Sequence, residues 1–451
     1  MKKFMFIMFI FMFVPALLKA TSLDSGLPST LIELDPVMTA QGFSGITLFE
    51  STVSTYGNPA LLAAKRTSVT YINEQCKIPV DYIYSLVSPI PRQPQWLSGL
   101  ANDMRMYYYE YTIRPLSKRL WKFSSPTLSF YRFKGTYGRV SDYTSDGKYI
   151  EWSPYDEIKA VGIGTDIDST LFAGIRAKYY DSYLIPEDLL EDAFGLKGGR
   201  AKGFLFDFGL IANTQMGLRY GVSLLNLGGP IKYSPEDNGD SPPTFIRQEV
   251  SFNSYDFINF IRNITGIDRL SMLNTLGGFT YSTAIWTDMV GDLHEIWKGK
   301  GYEVNILNLF FIRKGYFNDT VGSRIGETSG FGFKLGNIVY NFANDSAIYS
   351  FTQPKNWRVS LTLTDDTTSL KLIKKLIGRN NTVKLMGILA PGGGHLIIGE
   401  KYKGIFFFGL TNLFLKAAEK ETDIMKIAFL LTGAGVYAYS IIDLNKILRT
   451  M

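Results

Sequence analysis

Four cations, Arg176, Lys178, Arg219 and Arg358, and one carboxylate, Asp207, sit in short segments where polar and apolar residues alternate. Guanidinium and ammonium groups on one face could favour an anionic head group such as a fatty-acid carboxylate. The same charges also arise wherever one side of a strand is wet. Asp207 has apolar neighbours and is placed to pair with an arginine of the same face, a structural rather than a catalytic use. Asn58-Pro59-Ala60 is a turn signal, because proline fixes φ and asparagine bonds its neighbouring backbone; it either caps a turn or serves as a moving gate. Glu187, Asp188, Glu191 and Asp192 lie within Ile185–Phe194 at a spacing that matches no calcium loop. A solvated face on a short amphipathic helix starting at a proline accounts for them.

Other chemistries lack their parts. The single cysteine, Cys76, excludes an intrachain disulfide and a cysteine-based zinc site. The only two histidines, His294 and His395, are far apart, which argues against a His-rich metal site. There is no Gly-x-Ser-x-Gly elbow, and no nucleophile–base arrangement can be assembled. Pro391–Gly394 is not followed by Gly-Lys-Ser/Thr, so it reads as a turn before a helix rather than a phosphate loop. The expectation is a protein that is not an enzyme, with no metal and no cofactor. A charge of +6, from 47 basic and 41 acidic residues, is too balanced for a nucleic-acid surface.

The elements that must carry these residues are strands. The chain has 27 tyrosines, 32 phenylalanines and 43 glycines, which favours strands broken by tight turns. In Ser169–Tyr179, Leu171, Ala173, Ile175, Ala177 and Tyr179 share a face; Thr170, Gly174, Arg176 and Lys178 share the other, with Phe172 as the exception. Leu218, Tyr220, Val222 and Leu224 oppose Arg219, Gly221 and Ser223 in the same way. So do Phe331, Phe333 and Leu335 against Gly330, Gly332 and Lys334, and Trp357, Val359, Leu361 and Leu363 against Arg358, Ser360 and Thr362. Period two with one apolar face fits a sheet with lipid outside and a watery lumen inside; a soluble sandwich shows the same alternation. The run from Gly42 to Thr364 is long for one sandwich and has room for ~14 transmembrane strands. Gln93–Gly99, Ser141–Tyr155, Ile185–Arg200 and Ser234–Pro243 read as loops.

The two ends differ from this middle. Lys2, Lys3, the apolar run Phe4–Leu18 and the small Ala20 read as a cleavable signal peptide, and hence as export to a bacterial envelope. After Thr364, the basic stretch Lys371–Lys384 precedes the apolar runs Leu385–Gly399, Ile405–Leu415 and Ile427–Ile442. The last two read as a helical hairpin that dips into a membrane, lies on it or packs on the rest of the protein. The expected organisation is a signal peptide at 1–20, a plug-like segment at 21–65, a barrel at 66–364, a linker at 365–384 and the hairpin at 385–451.

Three stretches resemble outer-membrane barrels of the FadL/PorV type. Gly42–Ala63 carries Thr55, Asn58, Pro59 and Ala60. Gly203–Gly229 carries Asp207, Gly209, Asn226 and Gly228. Gly301–Leu363 carries Arg313, Gly315 and Tyr316, then Gly330-Phe331-Gly332 and Arg358 to Leu361. Leu389–Asp443 looks like a two-helix membrane module, with Pro391, Gly392, Gly394, Lys403 and Gly404. The resemblance implies an all-β transmembrane antiparallel barrel of about 14 strands, with an N-terminal plug and a C-terminal α-helical hairpin. It implies that Asn58, Pro59 and Ala60 fold into or against the lumen as part of the plug, and a role in binding or passing hydrophobic molecules. Its implied partners are membrane lipid, a hydrophobic small molecule, the barrel-insertion machinery and envelope proteins. Two alternatives stay open: a docking barrel without transport, and a periplasmic β domain tethered to the inner membrane.

Overall fold

The computed structural model describes residues 27, 30, 33–49, 56–65, 68–75, 105–114, 126–168, 170–214, 216–236, 238–270, 273–274, 277–288, 296–319, 324–335, 338–345, 356–364, 379–389, 391–420 and 423–450. The signal peptide, Thr55, Cys76, Gln93–Gly99 and His294 lie outside them.

Among the described residues sixteen strands follow one another: β1 (Ser68–Gln75), β2 (Arg105–Ile113), β3 (Thr127–Thr136), β4 (Val140–Tyr143), β5 (Tyr149–Trp152), β6 (Tyr155–Asp168), β7 (Leu171–Tyr183), β8 (Arg200–Asn213), β9 (Leu218–Gly228), β10 (Phe245–Asn253), β11 (Gly277–Asp288), β12 (Ile296–Ile306), β13 (Phe310–Asp319), β14 (Arg324–Leu335), β15 (Ile338–Asp345) and β16 (Asn356–Thr364). All but β4 and β5 form one closed antiparallel barrel of 14 strands in sequence order. The ring closes where Ser68 of β1 stands between Thr364 of β16 and Thr112 of β2. The connection at 307–309 is short, whereas 184–199 and 229–244 at the opposite end are long.

Alternation decides what each strand shows to either side. In β8, Phe204, Phe206 and Phe208 are exposed outward, while Leu205, Asp207 and Gly209 are buried. In β7, Ile175 and Ala177 are exposed and Arg176 and Lys178 buried. Phe172, the exception to the pattern, packs on Phe49 of the plug with ring centroids 4.6 Å apart. An apolar exterior and a polar-lined, filled interior are the pattern of a barrel that spans a membrane. That outcome removes the reading of a periplasmic β domain.

Two local expectations change. Ser141–Tyr155 is not only loop: β4 and β5 pair across it, with the Tyr143 and Tyr149 rings 5.2 Å apart. Within the stretch expected to hold short strands and turns, Ser254–Thr265 is a helix at the β10–β11 connection. Asn253 caps it by accepting from the N–H groups of Tyr255 (2.9 Å) and Asp256 (3.2 Å), and Gly266 stops it in the left-handed region.

Among the described residues after β16 there are four helices: Arg379–Leu389, Gly393–Ile398, Lys401–Lys420 and Asp423–Thr450. The first begins inside the stretch whose composition marks a basic linker. Leu396 and Phe408 of this helical region are buried in a cluster with Ile338 of β15 and Leu363 of β16. The hairpin therefore packs on the outside of the barrel wall.

Candidate functional site

Among the described residues, two plug elements fill the lumen. One is a short helix, Pro36–Ala40, followed by the loop 41–48; the other is the 3₁₀ helix Pro59–Ala64. Asp35 caps the first through the Val37 N–H at 2.8 Å, and Asn58 caps the second through the Ala60 N–H at 2.9 Å. Proline follows each cap, where its missing N–H is not needed. Asn58 also donates to the Ile46 carbonyl at 3.2 Å, tying the two elements together. Asn58, Pro59 and Ala60 are all buried at the plug–wall contact.

Glycines of the wall make this fit possible. A Cβ on Gly174 of β7 would overlap the Pro59 backbone, and one on Gly209 of β8 would overlap the Asn58 side chain. Across the lumen, Gly299, Gly301 and Gly315 hold the same relation to Gln41 and Gly42. Backbone thus lies against backbone on two sides of the plug.

Polar wall groups then grip it. The buried Glu249 carboxylate of β10 accepts from the N–H groups of Gly45, Ile46 (2.9 Å) and Thr47 (3.2 Å), and from the Thr47 hydroxyl at 2.5 Å. The Gly42 N–H donates to Thr328 Oγ1 at 2.9 Å, and the Ser223 hydroxyl donates to the Gly57 carbonyl at 2.8 Å. Arg219 reaches the Thr47 carbonyl at 3.3 Å, and Arg176 the Tyr56 carbonyl at 3.4 Å.

All five charged candidates of the sequence reading are buried on the lumen side and carry ion-pair partners. Asp207 takes both Lys178 (2.7 Å) and Arg176 (3.4 Å). Arg219 pairs with Asp256 at 2.6 Å, and Arg358 with Asp345 at 3.2 Å. Three further pairs were not singled out from sequence: Lys65–Glu110, Arg247–Glu33 and Arg313–Glu303. The alternation of Arg247, Glu249, Ser251 and Asn253 along β10 was the available signal. With the plug in place, these cations serve wall and plug rather than a free anion. Breaking one such buried pair from one side costs about 3–5 kcal/mol.

Not all of the interior is polar: one buried apolar cluster joins Tyr56 of the plug to Tyr108, Tyr131, Phe133 and Ile158 of the wall, and a second is mainly aromatic. Phe245, Trp286, Trp297 and Phe317 point inward from β10 to β13 and enclose Phe43 of the plug. The Phe43 and Phe317 centroids are 4.5 Å apart, and those of Trp286 and Trp297 5.4 Å. Arg247 lies over the Trp286 ring, 3.3 Å from its centroid. The indole N–H groups of Trp286 and Trp297 are buried without a hydrogen-bond partner.

The acidic cluster lies apart from the lumen, on the exposed helix Glu187–Phe194. Asp188 pairs with Lys148 at 2.5 Å, and Asp192 accepts from the Ser145 N–H at 2.7 Å. Through its bond to Asp188, Lys148 is held above the ordinary lysine range. His395, in the helical region, lies 3.0 Å from Asp443. Among the described residues no group of three or more His, Cys, Asp or Glu side chains could hold a metal ion.

Closed ring, apolar exterior and tethered interior segment together define a plugged transmembrane β-barrel. Solved structures with a similar outline include the toluene transporter TbuX of Ralstonia pickettii, at 11% identity and a TM-score of 0.42, covering 73% of this chain and 97% of that one. The monoaromatic hydrocarbon channel CymD is similar at 10% identity and a TM-score of 0.40, over 74% and 98% of the two chains. The toluene transporter TodX of Pseudomonas putida is similar at 10% identity and a TM-score of 0.39, over 76% and 98%. No family model and no curated protein matches the chain.

Proposed function

We propose that the mature protein, exported by the 1–20 signal peptide, resides in the outer membrane and passes small hydrophobic molecules through its lumen. The observation that carries this reading is the inward aromatic cluster. A pore for polar solutes gains nothing from two tryptophans and two phenylalanines on its inner wall, whereas an apolar solute needs such a surface. The plug covers it with Phe43, so the plug must shift for a molecule to pass. Asn58-Pro59-Ala60 is the pivot in this scheme, because it joins the 3₁₀ helix to the Ile46 loop. Two unpartnered indole N–H groups favour a molecule with an apolar body and an acceptor oxygen, such as a fatty acid.

The test uses the purified full chain in lipid vesicles, with radiolabelled oleate and toluene supplied outside in separate experiments. Uptake above protein-free vesicles is expected for at least one, and Trp286→Ala should change its rate. Equal uptake with and without protein, for both compounds, would leave the barrel a docking platform and overturn the transport reading.

A further inference from the structure

We propose that the C-terminal hairpin lies in the same bilayer as the barrel, with the exposed side of its last helix against lipid acyl chains. Three observations converge on this placement.

The last helix is unlike one made for water. Met425–Arg449 is long and apolar enough to cross a membrane, yet little of it is covered by the rest of the protein. Ile427, Leu430, Leu431, Tyr439 and Ile442 are all exposed. A patch of this kind on a soluble surface is an aggregation liability.

Its charges sit where a bilayer would put them. Ile427–Ile442 contains no charged residue and measures ~24 Å at 1.5 Å per residue, close to the ~25 Å apolar band of an outer-membrane barrel. Asp423 and Lys426 flank it on one side, and Asp443, Lys446 and Arg449 on the other.

The hairpin is also docked on lipid-facing wall. Leu396 and Phe408 bury Ile338 and Leu363, with Leu335 and Leu361 packed around them, all from β14 to β16. Gly409 lies 4.0 Å, measured from a Cβ built on it, from the hydroxyl of Tyr111, an exposed residue of β2. A second membrane is out of reach for a module in contact with this barrel.

In a Cys76→Ser background, single cysteines replace Leu431, Phe206 (barrel exterior) and Lys148 (water), and each carries an environment-sensitive fluorophore. The variants are reconstituted in phosphatidylcholine vesicles, with folding checked by heat-modifiable migration. Nitroxide on the acyl chains should quench the Leu431 label about as strongly as the Phe206 label, and aqueous iodide should quench it as weakly. Quenching like that at Lys148 overturns the proposal. A second variant pairs Tyr111→Cys with Gly409→Cys: a short bismaleimide should link them within one chain at any dilution. Absence of that link overturns the docking on the wall even if Leu431 meets lipid.

Discussion

Replacing Glu249 by glutamine tests the grip on the plug most directly. The native carboxylate divides its work: Oε2 receives the Gly45 and Ile46 N–H groups, and Oε1 the Thr47 N–H and hydroxyl. Glutamine keeps one oxygen and turns an NH₂ toward the other pair of donors. Two bonds to a charged acceptor, at ~1.5–3 kcal/mol each, are lost, and the two that remain become bonds to a neutral one. The loop offsets part of this by shifting, so the net loss is about 4 kcal/mol, roughly a thousandfold in the ratio of seated to displaced plug. Thr47→Val removes only the hydroxyl's share and should cost about 1–2 kcal/mol. Amide hydrogen exchange of residues 42–48, followed by mass spectrometry in detergent, reads this ratio, and single-channel conductance reads its consequence. Exchange should accelerate strongly in Glu249→Gln, modestly in Thr47→Val, and conductance should follow the same order. Unchanged protection in Glu249→Gln, or a larger effect from Thr47→Val, would refute the assignment of Glu249 as the principal anchor.

Two further substitutions probe the other plug element. Asn58→Ala removes the cap on Ala60 and the tie to Ile46, and should cost ~1 kcal/mol; exchange of 58–64 should rise about fivefold, with heat-modifiable migration intact. Gly174→Val places methyl groups where the Pro59 backbone lies, so the 3₁₀ helix must lift from β7; increased conductance with an unchanged melting transition is expected, and a plug that stays protected would contradict the close approach.

Much of the wall was legible because period two is a local property. Arg176 and Lys178 fall inside and Ile175 and Ala177 outside, as the alternation in Ser169–Tyr179 requires. Phe172 breaks the pattern because its partner, Phe49, belongs to a plug element more than a hundred residues away in sequence, beyond any window of alternation. Asp207 was readable as the partner of a lumen arginine, whereas distance hid the partner of Arg219. Asp256 sits on a helix whose asparagine cap and glycine stop are present in the sequence but lie among segments read as short strands and turns. The Asn-Pro-Ala turn could be read, since capping needs only neighbours; its bond to Ile46 could not. Apolar runs revealed the C-terminal helices, whereas their seat on β15 and β16 depends on which wall residues face outward at one rim.

Joining the first strand to the last makes assembly an all-or-none event. Thr70 and Thr362, hydrogen-bonded across the seam at 3.1 Å, are 292 positions apart. Until β16 arrives, β1 and β15 each present an unpaired edge open to association with other chains. The plug precedes β1 in the chain and is enclosed by the ring of strands that follows it. A chain truncated before Asn356 has the plug and most of the staves but no hoop, and keeps open edges on β1 and β15 however strong the pairs already formed.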